Sequence, residues 1–412
     1  MPIDVRPIEA SELPAWLEAA STVFFFWPWG EPNASAEFRL ESMDLQRTRA
    51  AFDGSTVVGT YRTFPTPLTL PGGSSLTASA VTAVTVRSTH RRRGILSAFE
   101  ADDMARAREA GEPVGVLIAA EWPIYGRFGY GPATWRAKWS LRARAARFKE
   151  PAPGTIEVVN ALRAREVIPP IYDRYRLAQP GELGRTDFRW DVDLTIRQPP
   201  GRPKQALVFA IHHGPDGPDA YAVYHGEEKW DDGIPDNVAI VDELHGTSVE
   251  AELAMWQYLA SLDLVATITA DTRRPSDPLL WYLEDARAFR LRELTEFLWV
   301  RLFDVPTALA ARSFDRDDRL VIEVVDRLGG GAGPAAGRFE LEASPDGATC
   351  RPTRRAADVT VPVAALGAAY LGGTRLRDAI RARGADEATP GALARLDALL
   401  KRADEPWCST WF

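Results

Sequence analysis

A run of residues suited to binding a polyanion lies at positions 84–94, Val-Thr-Val-Arg-Ser-Thr-His-Arg-Arg-Arg-Gly. Its alternating start predicts a strand, and Ile95, Leu96 and Phe99 then share one face of a helix. The first four N–H groups of a helix lack internal acceptors and can bind phosphate oxygens, and Gly94 lets the backbone approach closely. Arginine is unfavourable at a helix N-terminus unless an anion is present. The run therefore indicates an anion site, with a solvated basic patch as the alternative.

Two tyrosines and the chain end could move protons. Tyr125 and Tyr130 lie in the glycine-rich stretch 124–134, and the last eight residues read Glu-Pro-Trp-Cys-Ser-Thr-Trp-Phe. Chain ends are usually polar and frayed, so this aromatic composition predicts that the tail is docked into the structure. Residue type alone favours simpler interpretations, namely a turn or core tyrosine and an ordinary chain end.

The histidine and cysteine spacings predict no metal ion. One histidine, His90, lies in the basic run, and the other four are His212, His213, His225 and His245. The adjacent pair would point to opposite faces of a strand, so the two cannot bind one ion together. The motifs Gly-X-Gly-X-X-Gly and Gly-X-Ser-X-Gly are absent, which disfavours a dinucleotide-binding protein and a hydrolase.

Composition indicates a multidomain globular protein. The 412 residues are too many for one ordinary core, and 45% hydrophobic with 26% charged residues is a globular composition. A net charge of -8 argues against a general nucleic-acid binder. We expect no membrane span, because no apolar run is long enough, and no secretory signal, because the N-terminus has no basic region before an apolar one. A cytoplasmic protein fits best.

The order of predicted elements in the first 150 residues is typical of an α+β fold with a partly parallel sheet. Helices are expected to begin near Ala10 and after the basic run, and strands are expected at 3–8, 49–52, 57–64, 68–70, 79–86 and 114–118. The sequence Pro-Ala-Pro-Gly at 151–154 then predicts a domain boundary.

The same order recurs beyond that boundary. A helix begins with the capping-box sequence Thr-Ser-Val-Glu at 247–250, and it follows strands expected at 207–211, 220–225 and 238–244. This repetition suggests a duplicated fold. A third region begins near residue 298, with strands at 320–325 and 339–343 and helices at 363–371 and 390–400.

The basic run resembles a known signature. Arg-Arg-Arg-Gly-Ile-Leu at 91–96 is similar to the acyl-CoA-binding motif of the GNAT acetyltransferases, although Leu96 replaces its last small residue. Residues 83–94 and 124–134, taken with the terminal Phe, resemble the enhanced intracellular survival (Eis) family of GNAT N-acetyltransferases. The resemblance extends along the whole chain and favours the anion site over the basic patch.

The resemblance implies an α+β fold with two tandem GNAT-like domains plus a C-terminal sterol-carrier-protein-like α/β domain. The expected domains are a catalytic GNAT domain at 1–132, a second GNAT-like domain at 150–292, and a discontinuous sterol-carrier-like domain at 133–149 and 293–412. The resemblance also implies acetyl-CoA as co-substrate, without a metal, bound by Val84, Thr85, Val86, Arg91, Arg92, Arg93, Gly94 and Leu96.

The family further implies direct acetyl transfer to a primary amine. In that reaction the Tyr125 hydroxyl is the general acid and the α-carboxylate of Phe412 is the base, with Tyr130 as second choice for the acid. A tyrosine with a pKa of about 10 suits an acid, whereas an α-carboxylate with a pKa of about 3.5 is a weak base. Burial among aromatic residues raises the pKa of such a carboxylate, and the tail has that composition.

The predicted acceptor pocket has lost acidic residues. Phe26 and Trp411 occupy positions that are acidic in relatives that acetylate aminoglycosides, while Phe38 and Trp190 keep aromatic walls and Glu296 keeps one carboxylate. Losing two carboxylates weakens attraction for a polycation and adds apolar surface. We therefore expect a small-molecule amine that is less cationic than an aminoglycoside.

Two alternatives remain open. A hydrophobic-ligand binding protein would use the sterol-carrier-like domain beside a decayed catalytic half, although retention of Tyr125 and Phe412 argues against decay. A protein-lysine acetyltransferase would need an open cleft for a peptide. The family implies a homo-oligomer, a hexamer, with no nucleic-acid partner.

Overall fold

The computed structural model describes residues 3–25, 32–203, 205–328, 331–381 and 386–412. Within these ranges three large β-sheets are flanked by helices, which confirms the predicted α+β class. No helix in the described ranges is long and apolar enough to cross a membrane.

Most elements are short and follow one another closely. In the described ranges the strands are β1 Asp4–Pro7, β2 Thr48–Asp53, β3 Thr56–Thr69, β4 Ser75–Val86, β5 Val114–Ile118, β6 Gly131–Pro132, β7 Trp135–Arg142, β8 Thr155–Val159, β9 Val208–Gly214, β10 Gly217–Glu227, β11 Trp230–Asp231, β12 Ile234–Pro235, β13 Asn237–Gly246, β14 Val265–Arg273, β15 Phe289–Glu296, β16 Leu298–Leu302, β17 Asp318–Val325, β18 Arg327–Leu328, β19 Gly331–Ala332, β20 Gly337–Ser344, β21 Gly347–Pro352, β22 Val359–Pro362 and β23 Asp386–Glu387. The α-helices there are α1 Leu13–Phe24, α2 Pro32–Leu40, α3 Ile95–Glu109, α4 Trp122–Tyr125, α5 Ala161–Ala178, α6 Asp187–Asp193, α7 Val249–Ala260, α8 Leu279–Tyr282, α9 Val305–Ala311, α10 Val363–Ala369, α11 Leu376–Arg381 and α12 Ala392–Leu400.

The N-terminal sheet has the strand order β1-β2-β3-β4-β5-β16-β6. Strands β1 to β4 are antiparallel neighbours, and the β2–β3 hairpin turns after Asp53 at Gly54, whose φ is 62°. Helix α1 packs its apolar side against this sheet, and Trp16 Nε1 donates a hydrogen bond to Arg49 O at 2.7 Å. Helix α3 then crosses over so that β5 returns parallel to β4.

Strands β4 and β5 pair over only four residues of each strand, 78–81 with 114–117. A bulge follows, because Ala83 and Val84 together face Tyr61 of β3, and Ala83 has a left-handed φ of 52°. Beyond the bulge, β4 continues to Val86 beside β3. The parallel strands therefore separate, and residues 82–86 line what we call the β4–β5 gap.

The central sheet, in the order β15-β7-β14-β13-β10-β9-β8, repeats this arrangement. Strand β13 pairs with β14 in parallel over residues 237–241 and then continues to Gly246 without it. Ser248 is the N-cap of the crossover helix α7, and its side chain accepts a hydrogen bond from Ala251 N at 3.2 Å. The capping residue is thus one position later than the predicted capping box.

Side chains fill the gap of the central sheet. Arg273 of β14 donates hydrogen bonds to the carbonyl oxygen of Leu244 on β13, to Glu252 at 2.9 Å and to Asp277 at 2.9 Å. All three charged residues are buried. The guanidinium group therefore bridges the two separated strands.

The C-terminal sheet, in the order β21-β20-β17-β22-β23, shares a core with the N-terminal sheet. Val116 and Val300 from the N-terminal sheet pack in one cluster with Ile322 and Leu341 from the C-terminal sheet. Helix α10 lies between them, and a Cβ on its Gly367 would be only 2.2 Å from Val300 O. This glycine lets the helix touch the sheet backbone directly.

Strands β7 and β16 pair in sheets other than the one expected for the sterol-carrier-like domain. Strand β7 lies between β14 and β15, and Trp139 and Leu141 pack into the core of the central sheet. Strand β16 returns to the N-terminal sheet between β5 and β6. Strands β7 and β16 therefore do not belong to the sterol-carrier-like domain expected at 133–149 and 293–412, because each is hydrogen-bonded on both edges within another sheet.

The C-terminal tail is docked, as its aromatic composition predicts. Trp407 has no exposed surface, and its backbone N–H donates to Pro180 O at 2.9 Å. The Arg273 guanidinium carbon lies 5.5 Å from the centroid of the Trp407 ring, and the His245 ring lies 5.5 Å from it. The tail thus covers the filled gap of the central sheet.

We expect Trp407→Ala to lower the free energy of unfolding by about 3–5 kcal/mol, because it removes a fully buried indole and leaves a cavity. Urea denaturation followed by circular dichroism measures the change. Trp411→Ala is the matched control, since Trp411 is 55% exposed. Equal stabilities for Trp407→Ala and the wild type would contradict the docking of the tail.

Candidate active site

The basic run forms a tight turn between β4 and α3. A single 3-10 turn, Ser88–His90, follows β4, and His90 Nε2 lies 3.2 Å from Asp53 Oδ2 of the β2–β3 hairpin. Arg92 and Gly94 both have left-handed backbone conformations, with φ of 63° and 79°. Gly94 is the N-cap of α3, where a side chain would be strained. The hairpin therefore holds the turn at the start of α3.

The start of α3 has unpaired donors and positive charge. Residues 91–94 are all exposed, and the first helical hydrogen bond runs from Ala98 N to Gly94 O at 3.0 Å. The N–H groups of residues 95–97 consequently lack helical acceptors. Within the described structure no side chain caps α3, whereas Ser248 caps α7 at the equivalent point. The start of α3 can therefore accept an anionic ligand.

The backbone of β4 beyond the bulge faces the β4–β5 gap. Arg87 N donates to Val58 O of β3 at 2.8 Å. Because N–H groups alternate sides along a strand, those of Val86 and Val84 are directed away from β3, toward the gap. The predicted co-substrate residues thus lie along one edge of the gap and the turn that follows it.

Two of the predicted co-substrate residues contact the protein instead. The Thr85 hydroxyl is buried and lies 2.6 Å from the Thr60 hydroxyl. Leu96 packs against the core beneath α3. Their side chains therefore support the turn and the helix.

Tyr125 ends helix α4, just after β5, and is 7% exposed. Burial raises the pKa of its hydroxyl, and the charges of Glu100 and Glu121 raise it further. Its ring meets that of Tyr130 edge-on, with centroids 6.2 Å apart. Tyr130 is completely buried, and its hydroxyl has no hydrogen-bond partner within the described residues. Tyr125 is therefore the more accessible of the two candidate acids.

A buried carboxylate, Glu182, holds the last residues of the chain. Its oxygens accept hydrogen bonds from Ser409 N at 2.9 Å, from the Thr410 hydroxyl at 3.0 Å and from the Tyr172 hydroxyl at 3.0 Å. Arg185 Nε also donates to Thr410 Oγ1, at 3.1 Å. The tail is thus fixed two residues before its end.

The final two residues reach the N-terminal sheet. Arg189 Nη1 donates to Trp411 O at 2.8 Å. The Phe412 ring meets the Phe64 ring of β3 at right angles, with centroids 5.6 Å apart. Phe412 also packs against the core that the N-terminal and C-terminal sheets share.

Tyr125 and Phe412 lie on opposite faces of the N-terminal sheet. The Phe412 ring contacts Phe64 of β3, which pairs with Ala80 of β4, and Tyr125 belongs to the cluster that contains the next residue of β4, Val81. Successive side chains of a strand point to opposite faces of a sheet. The β4–β5 gap, where the sheet opens, is therefore the place at which groups from both faces could meet one ligand.

Helix α6 connects three of the predicted pocket residues. Its Phe188 meets Phe38 with ring centroids 5.3 Å apart. The next residue, Arg189, holds the backbone of Trp411, and Trp190 is buried in the central domain. Trp190 is thus a core residue behind the tail, whereas Trp411 has an exposed ring.

Glu296 and Phe26 are the remaining predicted pocket residues. Glu296 is half-buried at the end of β15, next to Phe297, whose ring centroid lies 5.8 Å from that of Trp411. The Arg136 guanidinium carbon lies 5.1 Å from the Phe297 centroid and 5.4 Å from the Trp411 centroid. Phe26 lies outside the described residues. Aromatic rings and arginines therefore meet beside the chain end.

Sequence reasoning missed the residues that hold the tail. Glu182, Arg185 and Arg189 precede the tail by more than 200 residues and belong to no motif. The one available signal was the aromatic tail itself, because a docked tail needs buried partners for its backbone groups.

Glu182→Gln should loosen the tail. The variant keeps the side-chain volume, but its NH₂ group cannot accept a hydrogen bond from Ser409 N. Hydrogen bonds to buried charged groups contribute about 1.5–3 kcal/mol, so we expect at least roughly tenfold faster removal of the last residues by carboxypeptidase. Mass spectrometry measures that rate, and the exposed Glu166→Gln is the control. An unchanged rate would show that Glu182 does not anchor the tail.

Known protein families match each of the three domains. Residues 4–133 and residues 181–302 each match a family described as "Acetyltransferase (GNAT) domain". Residues 305–409 match the family described as "Sterol carrier protein domain". The predicted duplication and the sterol-carrier-like domain are thereby confirmed.

Relatives that match over most of this chain are named N-acetyltransferases. An uncharacterized N-acetyltransferase of Streptomyces griseus is 39% identical over 100% of both chains. The N-acetyltransferase Eis of Mycobacterium tuberculosis is 35% identical over 84% of this chain and 83% of its own. The crystal structure of Eis1 from Mycobacterium abscessus is 31% identical and covers 99% of this chain and 100% of its own, with a TM-score of 0.85. This chain is a GNAT N-acetyltransferase and belongs to the Eis family.

Proposed function

We propose that this enzyme moves the acetyl group of acetyl-CoA directly to a primary amine at the β4–β5 gap. Tyr125 is the general acid and the α-carboxylate of Phe412 is the base. The observation that carries this proposal is that the two residues lie on opposite faces of the N-terminal sheet. Tyr125 can then give a proton to the departing sulfur while the Phe412 carboxylate takes a proton from the attacking nitrogen.

The chain has suitable groups for acetyl-CoA, the co-substrate of GNAT enzymes. The open N–H groups at the start of α3 and the exposed arginines at 91–93 would bind its pyrophosphate. The backbone of Val84 and Val86 would pair with its pantetheine arm as an added strand would. Among the described residues, no group of three or more His, Cys, Asp and Glu side chains could hold a metal ion.

The proton transfers follow from the bonds that change. The amine nitrogen attacks the thioester carbonyl, a C–N bond forms and the C–S bond breaks. Phe412 takes the proton that the nitrogen loses, and Tyr125 gives a proton to the sulfur, so the products are an amide and a thiol. Because burial raises the pKa of Tyr125, its hydroxyl is protonated before each turnover.

Tyr125→Phe and deletion of Phe412 should each lower kcat by about 10²–10⁴-fold, because each removes one proton-transfer group. Thiol release from acetyl-CoA over a panel of amines measures the effect. Appending a glycine to Phe412 should cause a similar loss, since it converts the α-carboxylate into an amide but keeps the ring. Tyr282→Phe, in α8 of the central domain, is the control. Wild-type rates in either active-site variant would refute these roles, as would a wild-type enzyme that turns over no amine.

The acceptor side of the site favours an amine with little positive charge. Arg136 lies against Trp411, Arg189 binds the Trp411 carbonyl and Arg185 binds Thr410. Glu243 and Asp193 compensate the charges of Arg185 and Arg189. The Arg136 guanidinium repels a polycation, and the rings of Phe297 and Trp411 offer apolar surface. We therefore infer an aromatic or hydrophobic amine, with aminoglycosides as poorer acceptors.

Trp411→Glu should shift this preference. A carboxylate at this exposed position adds attraction for a polycation of about 1 kcal/mol, so we expect kcat/KM for an aminoglycoside to rise roughly fivefold relative to that for an aromatic monoamine. Steady-state kinetics with both acceptors measure the ratio. Trp230→Glu, at a 53% exposed tryptophan of the central domain, is the matched control. An unchanged ratio would place the acceptor away from Trp411.

A further inference from the structure

Beneath α3, behind Tyr125, lies a group of buried polar side chains that the proposed transfer does not use. We call Ser79, Glu100, Tyr130 and Arg301 the Glu100 cluster, and none of the four has exposed surface. Six of its atoms have no hydrogen-bond partner among the described residues: Ser79 Oγ, both carboxyl oxygens of Glu100, the Tyr130 hydroxyl, and Nε and Nη1 of Arg301. Buried polar groups are almost always hydrogen-bonded, and ordered water supplies the partner where protein does not.

The strand register brings these residues together. Ser79 of β4, Gly115 of β5 and Arg301 of β16 form one row across three adjacent strands. Gly115 lets the Phe303 ring and the Tyr130 hydroxyl approach this row closely, because a Cβ there would clash with Phe303 and lie 2.9 Å from the Tyr130 hydroxyl. Glu100 is buried on α3, which packs on β3 and β4, and its charge raises the pKa of Tyr130. The unpartnered atoms therefore lie on the face of the sheet that α3 covers.

Among the described residues Glu100 forms no hydrogen bond or ion pair with a cation, and the charge of Arg301 only partly offsets its burial. Arg301 Nη2 already pairs with buried Asp326 at 2.9 Å. Asp103, one turn further along α3, has a second buried carboxyl group. Unlike Glu100, it accepts a hydrogen bond, from the Tyr61 hydroxyl at 3.3 Å. Burial, and then repulsion from Asp103, raises the pKa of Glu100 to about 8. Burial also raises the pKa of Asp103, to about 6.

We propose that Glu100 is a positioning residue for acetyl transfer, whose uncharged carboxyl completes the buried cluster together with ordered water and keeps negative charge away from Tyr125. This inference rests on the proposed role of Tyr125 as the acid. Tyr125 adjoins the cluster through its edge-on contact with Tyr130, 6.2 Å between centroids. A negative charge on Glu100 makes Tyr125 hold its proton more tightly, so the sulfur receives that proton more slowly.

The ratio of kcat for Glu100→Gln to kcat for the wild type tests this role. Ionisation of the amine acceptor affects both enzymes equally and cancels in the ratio. We expect a constant ratio below about pH 7 and a several-fold rise by about pH 9, as wild-type Glu100 ionises with its pKa of about 8. Asp103→Asn retains Glu100, so the ratio of its kcat to that of the wild type should not show this rise. Glu109→Gln, at an exposed position of the same helix, should give a flat ratio.

A second readout requires no activity. The pKa of Glu100 is raised to about 8 in the folded protein, so the unfolded chain releases this proton at lower pH than the folded chain does. Stability is therefore lost as the pH rises from the ordinary carboxyl range through about 8. The urea midpoint of the wild type should fall over this range more steeply than that of Glu100→Gln. Glu100→Met, a second uncharged side chain, should behave as Glu100→Gln does.

The outcomes separate this inference from the proposed function. Full activity of Tyr125→Phe would overturn the proposed function and this inference with it. A pH-independent kcat ratio together with an inactive Tyr125→Phe would overturn only the role of Glu100. Equal pH slopes of stability for the wild type and Glu100→Gln would do the same, because Glu100 would then be charged in the folded protein.

Discussion

The early end of pairing between β4 and β5 is the constraint on which the rest of the molecule depends. The strands pair over four residues, 78–81 with 114–117, and then leave backbone groups of β4 without a neighbouring strand on that side. Such groups need partners, because an unpaired buried N–H or carbonyl costs free energy. In the central sheet Arg273 meets this need by donating to the Leu244 carbonyl oxygen, and Trp407 packs against Arg273. In the N-terminal sheet the gap leads instead to an uncapped, arginine-rich helix start, which suits an anionic ligand.

The filled gap of the central sheet also fixes the position of the last residue, Phe412. Trp407 docks there, Glu182 accepts hydrogen bonds from Ser409 and Thr410, and the last residue then packs on Phe64 of the other sheet. A carboxylate at a free chain end would lose much conformational entropy whenever it took part in a reaction. Anchoring the preceding residues reduces that loss. The central domain therefore gives Phe412 a fixed position, although it contributes none of the proposed proton-transfer groups.

The sequence predicted the local features and missed the long-range ones. Three features near residue 90 are local, because each depends only on neighbouring residues in the chain: the alternation of residue types at 84–86, the apolar face of α3 and Gly94. The structure has the predicted strand and helix there, and Gly94 has a left-handed backbone conformation. The destinations of β7 and β16 were not predictable, because an apolar strand fits any open sheet edge and pairing is decided by tertiary packing. Glu182 was missed for the same reason, since its partners lie more than 200 residues away. The roles given to Tyr125 and Phe412 came from family resemblance, because their residue types alone favoured structural interpretations.

Helix α3 has to meet opposite electrostatic demands at its exposed start and at its buried face. Its exposed start must attract the negative charge of a pyrophosphate, and the arginines at 91–93 and the free N–H groups suit that task. Its buried face lies close to Tyr125, where negative charge would oppose proton release. An ionised Glu100 would harm both functions, since it would repel the phosphates and raise the pKa of the acid. Burial without a dedicated cation avoids both effects, because it keeps this carboxyl uncharged at neutral pH while leaving it a polar group for water to bind.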